Sequence, residues 1–183
     1  MVYEIQTIPL KVPCYLVKTG SGFFLIDAGD SSDCANLEKA LGQAGVKPGN
    51  LKLVLLSHGD FDHAGNAAFL RQKYGAKVAM HAEDVEMVKR GDQGWNRKAR
   101  ADRVTLFGKI IIFVSSQFVK PGSFNPFSPD LIVIDGDDLS KYGFEAKVLH
   151  LPGHSKGSIG VLTTDGDLFC GDLLMNMFKP EPH

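Results

Sequence analysis

His58, Asp60, Asp62 and His63 place two imidazoles and two carboxylates within six consecutive positions. Both side-chain types are metal ligands. Carboxylates separated by a single residue repel unless positive charge lies between them, and a divalent cation is the simplest candidate. Gly59 and Gly65 give the backbone freedom to turn several side chains inward. An Asp-rich solvated turn running into a helix N-cap would explain any one of these residues, but not four together. Further along, Pro152-Gly153-His154-Ser155 is a tight turn offering a histidine, and Cys170-Gly171-Asp172 a strand end offering a carboxylate. Imidazole and carboxylate ligands with open positions suit catalytic zinc or iron. A two-metal site can acidify a bridging water while polarising the scissile group.

The flanking patterns supply elements that could position such a cluster. Residues 4–10, 14–18 and 23–27 are rich in β-branched and aromatic side chains and read as a β-meander, with Gly20-Ser21-Gly22 as a hairpin turn. Leu37 and Leu41 recur at helical spacing in residues 34–44, an amphipathic helix stopped by Gly45 and Pro48. Residues 51–56 form an almost continuous apolar run, as in a strand covered on both faces, and the polar loop 57–63 starts where it stops. A helix is predicted over 64–74, a strand over 77–81 and a short helix over 83–89. Such an alternation of strand, loop and helix indicates an α/β domain. Residues 90–130 read as an irregular insert or lid around an apolar stretch, 109–119, of ambiguous period. Strands return at 131–135, 146–151, 158–164 and 168–170, separated by Gly-Asp and Asp-Gly turns.

With 183 residues, 44% of them hydrophobic and 22% charged, residues 1–183 suit a single domain with its own core. A net charge of -1 provides no field for nucleic acid or an anionic membrane. The first ten residues lack the basic start and apolar middle of a signal peptide. The apolar run 110–114 is far short of the roughly 18 residues that a membrane span requires. A cytoplasmic protein is expected, with a small-molecule substrate, no nucleic acid and no membrane partner, and with self-association left open. Cys14, Cys34 and Cys170 form no CxxC pair and read as reduced thiols, Cys14 and Cys170 as small buried hydrophobes.

The run Ser57 to Gly65 resembles the Thr/Ser-His-x-His-x-Asp-His-x-Gly hallmark of the metallo-β-lactamase superfamily. Other signatures of that family follow in order. Asp27-Ala28-Gly29 is similar to its early Asp-x-Gly, Pro152 to Ser158 to its Pro-Gly-His-Thr-x-Gly-Ser turn, and Gly171-Asp172 to its Gly-Asp. The resemblance implies an α/β (α+β) fold, the metallo-β-lactamase-type αββα sandwich. It further implies a hydrolase that uses a metal-bound hydroxide on a small ester, thioester or lactone-like substrate. One metal would take His58, Asp60 and His154, a second Asp62 and His63, and Asp172 would bridge them. Asp62 would also orient the nucleophile, and Asp27 would hold the ligand loop by hydrogen bonds.

This chain departs from the family pattern twice. Asp60 stands where the family usually has histidine, and a carboxylate is a harder ligand, shifting preference from zinc toward iron or manganese. Two zinc ions are the first expectation, with iron or manganese as alternatives. Only eleven residues follow Asp172, whereas the family continues through a helix and strand to a Gly-His element, so the αββα sandwich is expected to lack that portion. Two alternative readings follow. Asp60 motivates a diiron redox protein, which needs an electron donor, and the short C-terminal segment motivates a catalytically impaired fragment. His183 is a weak substitute ligand because chain ends fray.

His81 and His150 are expected to be structural and are not placed among the ligands. The basic stretch Lys89, Arg90, Arg97, Lys98, Arg100 and Arg103 surrounds Trp95 and reads first as a solvated face. Phe107, Phe113 and Phe118 serve equally as core or as pocket wall.

Overall fold

An almost unbroken apolar strand needs cover on both sides, and β4 (Leu51–Leu55) has it. Val54 faces a cluster containing Leu37, Leu41, Leu70 and Val88, while Leu53 and Leu55 face one containing Phe144, Val148, Ile159 and Val161. The same alternation runs along the neighbouring strands: Leu25 lies on the first face, Phe24 and Ile26 on the second.

The computed structural model describes residues 3–93, 95 and 124–174. β1 (Glu4–Ile8), β2 (Cys14–Thr19) and β3 (Gly22–Ile26) form the expected antiparallel meander. β4, β5 (Lys77–His81) and β6 (Leu131–Val133) extend it in parallel, giving a six-stranded sheet in sequential order. A second sheet holds β7 (Ala146–His150), β8 (Ile159–Thr163) and β9 (Leu168–Phe169), all antiparallel. Helices α1 (Cys34–Gln43), α2 (Phe61–Ala64), α3 (Ala67–Tyr74) and α4 (Val85–Arg90) contribute to the first cluster and cover one face of the large sheet. The small sheet covers the other. Leu162 and Leu168 point outward from the small sheet and are exposed. Among the described residues no helix is long and apolar enough to cross a membrane.

One predicted element differs in form. The single helix over 64–74 is two, α2 and α3, and α2 begins inside the run read as a polar loop. The chain departs from the helical path at Asn66, φ -102 and ψ 5, directly after a glycine that close packing requires. A Cβ on Gly65 would lie 2.5 Å from the Phe61 carbonyl oxygen, 2.6 Å from the Ser31 nitrogen and 2.7 Å from the Gly29 carbonyl oxygen. The Asn66 side-chain amide donates to the carbonyls of Ala28 and Asp30, both at 2.8 Å, which ties the chain to the loop after β3. The apolar stretch 109–119, Phe107, Phe113 and Phe118, Arg97, Lys98, Arg100 and Arg103, and His183 lie outside the described residues.

The sheets grip each other through aromatic contacts: Phe144 is fully buried, its ring 5.4 Å from Phe24 and 5.1 Å from Tyr3. Phe144→Ala should lower unfolding free energy by about 3–5 kcal/mol, the usual cost of emptying a buried aromatic site. Urea denaturation measures this, and a loss below about 1 kcal/mol would show that the inter-sheet core does not depend on that ring.

Candidate metal centre

The chemically active residues gather where strands end, at the carboxyl edge of the parallel strands, the usual ligand-binding edge of α/β sheets. Asp27 follows β3, Ser57 to His63 follow β4, and the His154 and Asp172 turns follow β7 and β9.

Asp27 is buried at φ 60, a left-handed conformation that L residues seldom adopt and Asp tolerates better than most. Its carboxylate accepts from the Ser57 N–H at 2.7 Å, the Ser57 hydroxyl at 2.9 Å and His63 Nδ1 at 2.8 Å. With its proton given to Asp27, the Ser57 oxygen accepts from His58 Nδ1 at 2.9 Å. The network therefore assigns Nδ1–H to both rings and turns both Nε2 atoms toward one space.

Two groups of ligand atoms converge there, each within 4.8 Å: His58, Asp60 and His154, and His58, His63 and Asp172. Asp60 Oδ2 lies 3.3 Å from His58 Nε2 and 2.9 Å from His154 Nε2. Asp172 Oδ1 is 3.2 Å from His63 Nε2, and its other oxygen 3.7 Å from His154 Nε2. The His58 ring stands 4.1 Å from His63 and 4.7 Å from His154, shared between the groups. His58 Nε2 and His63 Nε2 are buried without a hydrogen-bond partner among the described residues. Buried nitrogens facing carboxylates across such a gap fit a divalent cation. His154 and Asp172 are partly exposed and mark the open side.

The structure brings together five of the six residues that the sequence singles out. Asp62, half-buried in the first turn of α2, belongs to neither group. His81 and His150 also stay outside the groups. Their rings stack at 4.1 Å, His81 Nδ1 accepts from the Glu83 N–H, and His150 Nε2 lies 2.9 Å from the Lys156 carbonyl oxygen. Cys14 is buried, and burial pushes its thiol up, whereas Cys170 is only half-buried. Of the basic stretch, Lys89 and Arg90 pair with Glu86, and the Arg90 guanidinium lies 3.8 Å from the Trp95 ring. Asn66 and Asp84, unremarkable in the sequence, and Ser57, there only the first position of the motif, prove to organise the site.

The profile of the metallo-beta-lactamase superfamily matches residues 7–182. The chain belongs to that superfamily. Hydroxyacylglutathione hydrolase GloC of Haemophilus influenzae is 32% identical over 126 residues, 68% of this chain and 50% of that protein. Acyl-coenzyme A thioesterase MBLAC2 of Gallus gallus is 27% identical over 168 residues, 87% of this chain and 56% of that protein. The chain thus spans about half the length of the curated relatives it matches. Among solved structures, a metallo-beta-lactamase of Cronobacter sakazakii superposes with TM-score 0.68 at 21% identity, over 90% of this chain and 57% of its own. BJP-1 of Bradyrhizobium japonicum superposes with TM-score 0.69 at 20% identity, covering 92% and 60%. At that identity the likeness shows the fold, the metallo-β-lactamase-type mixed α/β architecture expected from the motifs.

The cluster sets a pH dependence for the metal-free protein. Burial alone would lower the His63 pKa, but the Asp27 charge, with the Asp172 carboxylate and the Nδ1 bond, outweighs it and pushes it up to about 11. Burial would raise Asp27, yet the charge and hydrogen bond of His63 hold it below the ordinary carboxylate value. Asp172 is held low chiefly by His63. The raised imidazole contributes stability that is complete below its ordinary 6.5 and fades as pH climbs toward 11, while the depressed carboxylates contribute above 3.8 and fail in acid. Chelated protein should therefore unfold at lower denaturant concentration at about pH 9 than at about pH 5.5, and His63→Gln should shrink the difference. A wild-type midpoint that rises between those values, or a variant with the same slope, would refute this.

Proposed function

We propose that this chain is a metal-dependent hydrolase of small acyl thioesters. The observation that supports the reading is the pair of ligand groups joined through His58. In this reading His58, Asp60 and His154 hold one cation, and His63 and Asp172, with Asp62 from the adjoining turn, hold a second. Zinc is the first assignment for both, while the carboxylate at position 60 admits iron or manganese. When bound, the metal supplies Lewis acidity, making a water nucleophilic near neutral pH and polarising the carbonyl under attack.

The chain's own residues supply the rest. Asp27 and Ser57 fix the two rings, so no ligand must reorient during a turnover. Asp60 is buried and contributes negative charge near both His58 and His154. Substrate approaches from the side of His154 and Asp172. Asp62 orients the attacking oxygen and accepts its proton. Support for a thioester comes from the relatives, one named for hydroxyacylglutathione and the other for acyl-coenzyme A. A thiolate departs readily, its pKa being about 8.5 as in cysteine, so a carboxylate-rich site needs no strong acid for the leaving group.

Protein purified without chelators or metal-affinity resin should hold about two ions of zinc, iron or manganese per chain, as dinuclear sites do. It should hydrolyse a hydroxyacylglutathione or an acyl-coenzyme A, and His58→Ala should abolish turnover and metal retention together. One ion or none, with no turnover of either thioester, would overturn the assignment. Asp62→Asn should keep the cation held by His58, Asp60 and His154 while kcat falls about 100-fold or more, as expected for loss of a general base. Unchanged kcat would remove Asp62 from the reaction.

A further inference from the structure

Asp84 is fully buried at the start of α4, on the chain leaving β5, and metal binding as described does not use it. Three donors converge on its carboxylate. Oδ1 accepts the Gly157 N–H at 2.9 Å, and Oδ2 accepts the Ser155 hydroxyl at 2.5 Å and the Gly59 N–H at 3.2 Å. Gly59 lies between His58 and Asp60, and Ser155 directly follows His154. One side chain therefore grips both turns that carry the first ligand group, although those turns are nearly a hundred residues apart and spring from different sheets.

We infer that Asp84 is a positioning residue that sets the spacing of His58, Asp60 and His154, an inference that rests on reading those three as metal ligands. The hydrogen bonds around it leave little freedom. Because the Ser155 hydroxyl donates to Asp84, the Ser158 hydroxyl must donate to Ser155 Oγ at 2.8 Å, while its own oxygen takes the Ser155 N–H at 2.9 Å. Such a chain of donors needs an acceptor-only group at its end, which a carboxylate is and an amide is not. An Asn here would set its N–H₂ against an N–H or a hydroxyl proton and leave buried donors unmet. The fit is also steric. A Cβ on Gly157 would stand 2.7 Å from Asp84 Cγ and 2.8 Å from its nitrogen and Oδ1, so the turn approaches this closely only as glycine.

The test compares wild type with Asp84→Asn, Ser155→Ala and Gly157→Ala, none of which alters a ligand. Zinc affinity and stoichiometry are measured by chelator competition, the visible absorption of cobalt(II) reports ligand geometry, and denaturation of the metal-free proteins reports fold stability. Asp84→Asn and Gly157→Ala should each weaken zinc binding about 10- to 100-fold, as loss of a group that orients ligands does, and should change the cobalt spectrum. Ser155→Ala, which removes one of the three donors, should lose less while keeping the metal-free stability close to wild type. Wild-type zinc affinity and an unaltered cobalt spectrum in folded Asp84→Asn would overturn the inference while leaving the metal-site reading intact. Failure of the wild type itself to bind zinc or cobalt would instead remove both. Should Asp84→Asn not fold, Ser155→Ala decides, and affinity within about twofold of wild type with an unchanged spectrum overturns the positioning role.

Discussion

The buried Asp27 carboxylate is the constraint around which the rest is arranged. A carboxylate withdrawn from water is costly unless donors replace the lost hydration, and here three donors do so, all from the Ser57–His63 segment. Asp27 adopts its left-handed backbone at the end of β3, where its N–H donates to the Leu55 carbonyl and Ala28 donates to the His63 carbonyl. These bonds tie two strand ends together before any side chain is considered. Their chemical consequence is selective. With Nδ1 of both imidazoles engaged, the opposite nitrogens have one direction left to face, His58 Nε2 toward Asp60 and His63 Nε2 toward Asp172.

Such a polar knot survives because it sits at the rim of a two-sided core. The six-stranded sheet is apolar on both faces, helices covering one and the small sheet the other, so the strand ends are held in place while the His154 and Asp172 turns stay partly exposed. Ile159 donates to the Ser57 carbonyl at 2.8 Å, stitching the small sheet to the very residue that serves Asp27. The convergent residues from the second half of the chain, His154 and Asp172, reach the site on turns of that small sheet. Inter-sheet packing and the geometry of the cluster are thus one property: anything that shifts the small sheet moves two of the five convergent residues.

Much of this was legible in the residue pattern, for reasons that differ by residue. Four ligand residues in six positions are a local signal, and the strand before them announces itself through apolar continuity. Leu53, Val54 and Leu55 do alternate between two cores as a doubly covered strand should. The split between α2 and α3 was not legible, because helical spacing continues across Gly65. The chain leaves the helical path at Asn66, whose amide is held by the carbonyls of Ala28 and Asp30, contacts from far along the chain. Asp84 was invisible for the same reason. In sequence it is one more acid near a helix start, and its meaning comes only from donors 25, 71 and 73 positions away. The His81–His150 stack likewise joins two strand ends whose pairing no local periodicity encodes. Asp62 shows the converse limit, since motif membership alone does not bring it into either convergent group.

The carboxylate at position 60 has a further physical consequence. Its Oδ2 lies within 3.3 Å of His58 Nε2 and 2.9 Å of His154 Nε2, so a single oxygen touches two imidazoles at once. A histidine there could offer one lone pair and no charge, whereas aspartate offers an anion that offsets part of a divalent charge within the protein interior. Asp172 acts similarly toward His63 and His154 on the solvent side. A centre with an anionic ligand in each group is more nearly neutral when filled with dications than one built of imidazoles alone. Carboxylate oxygen favours harder metals, and the lower residual charge would weaken the polarisation that each ion can exert on a bound substrate. Reactivity must then come from geometry held in advance. On the proposed reading, the hydrogen bonds of Asp27 and Asp84, which belong to neither ligand group, would bear on the chemistry as directly as the ligands do.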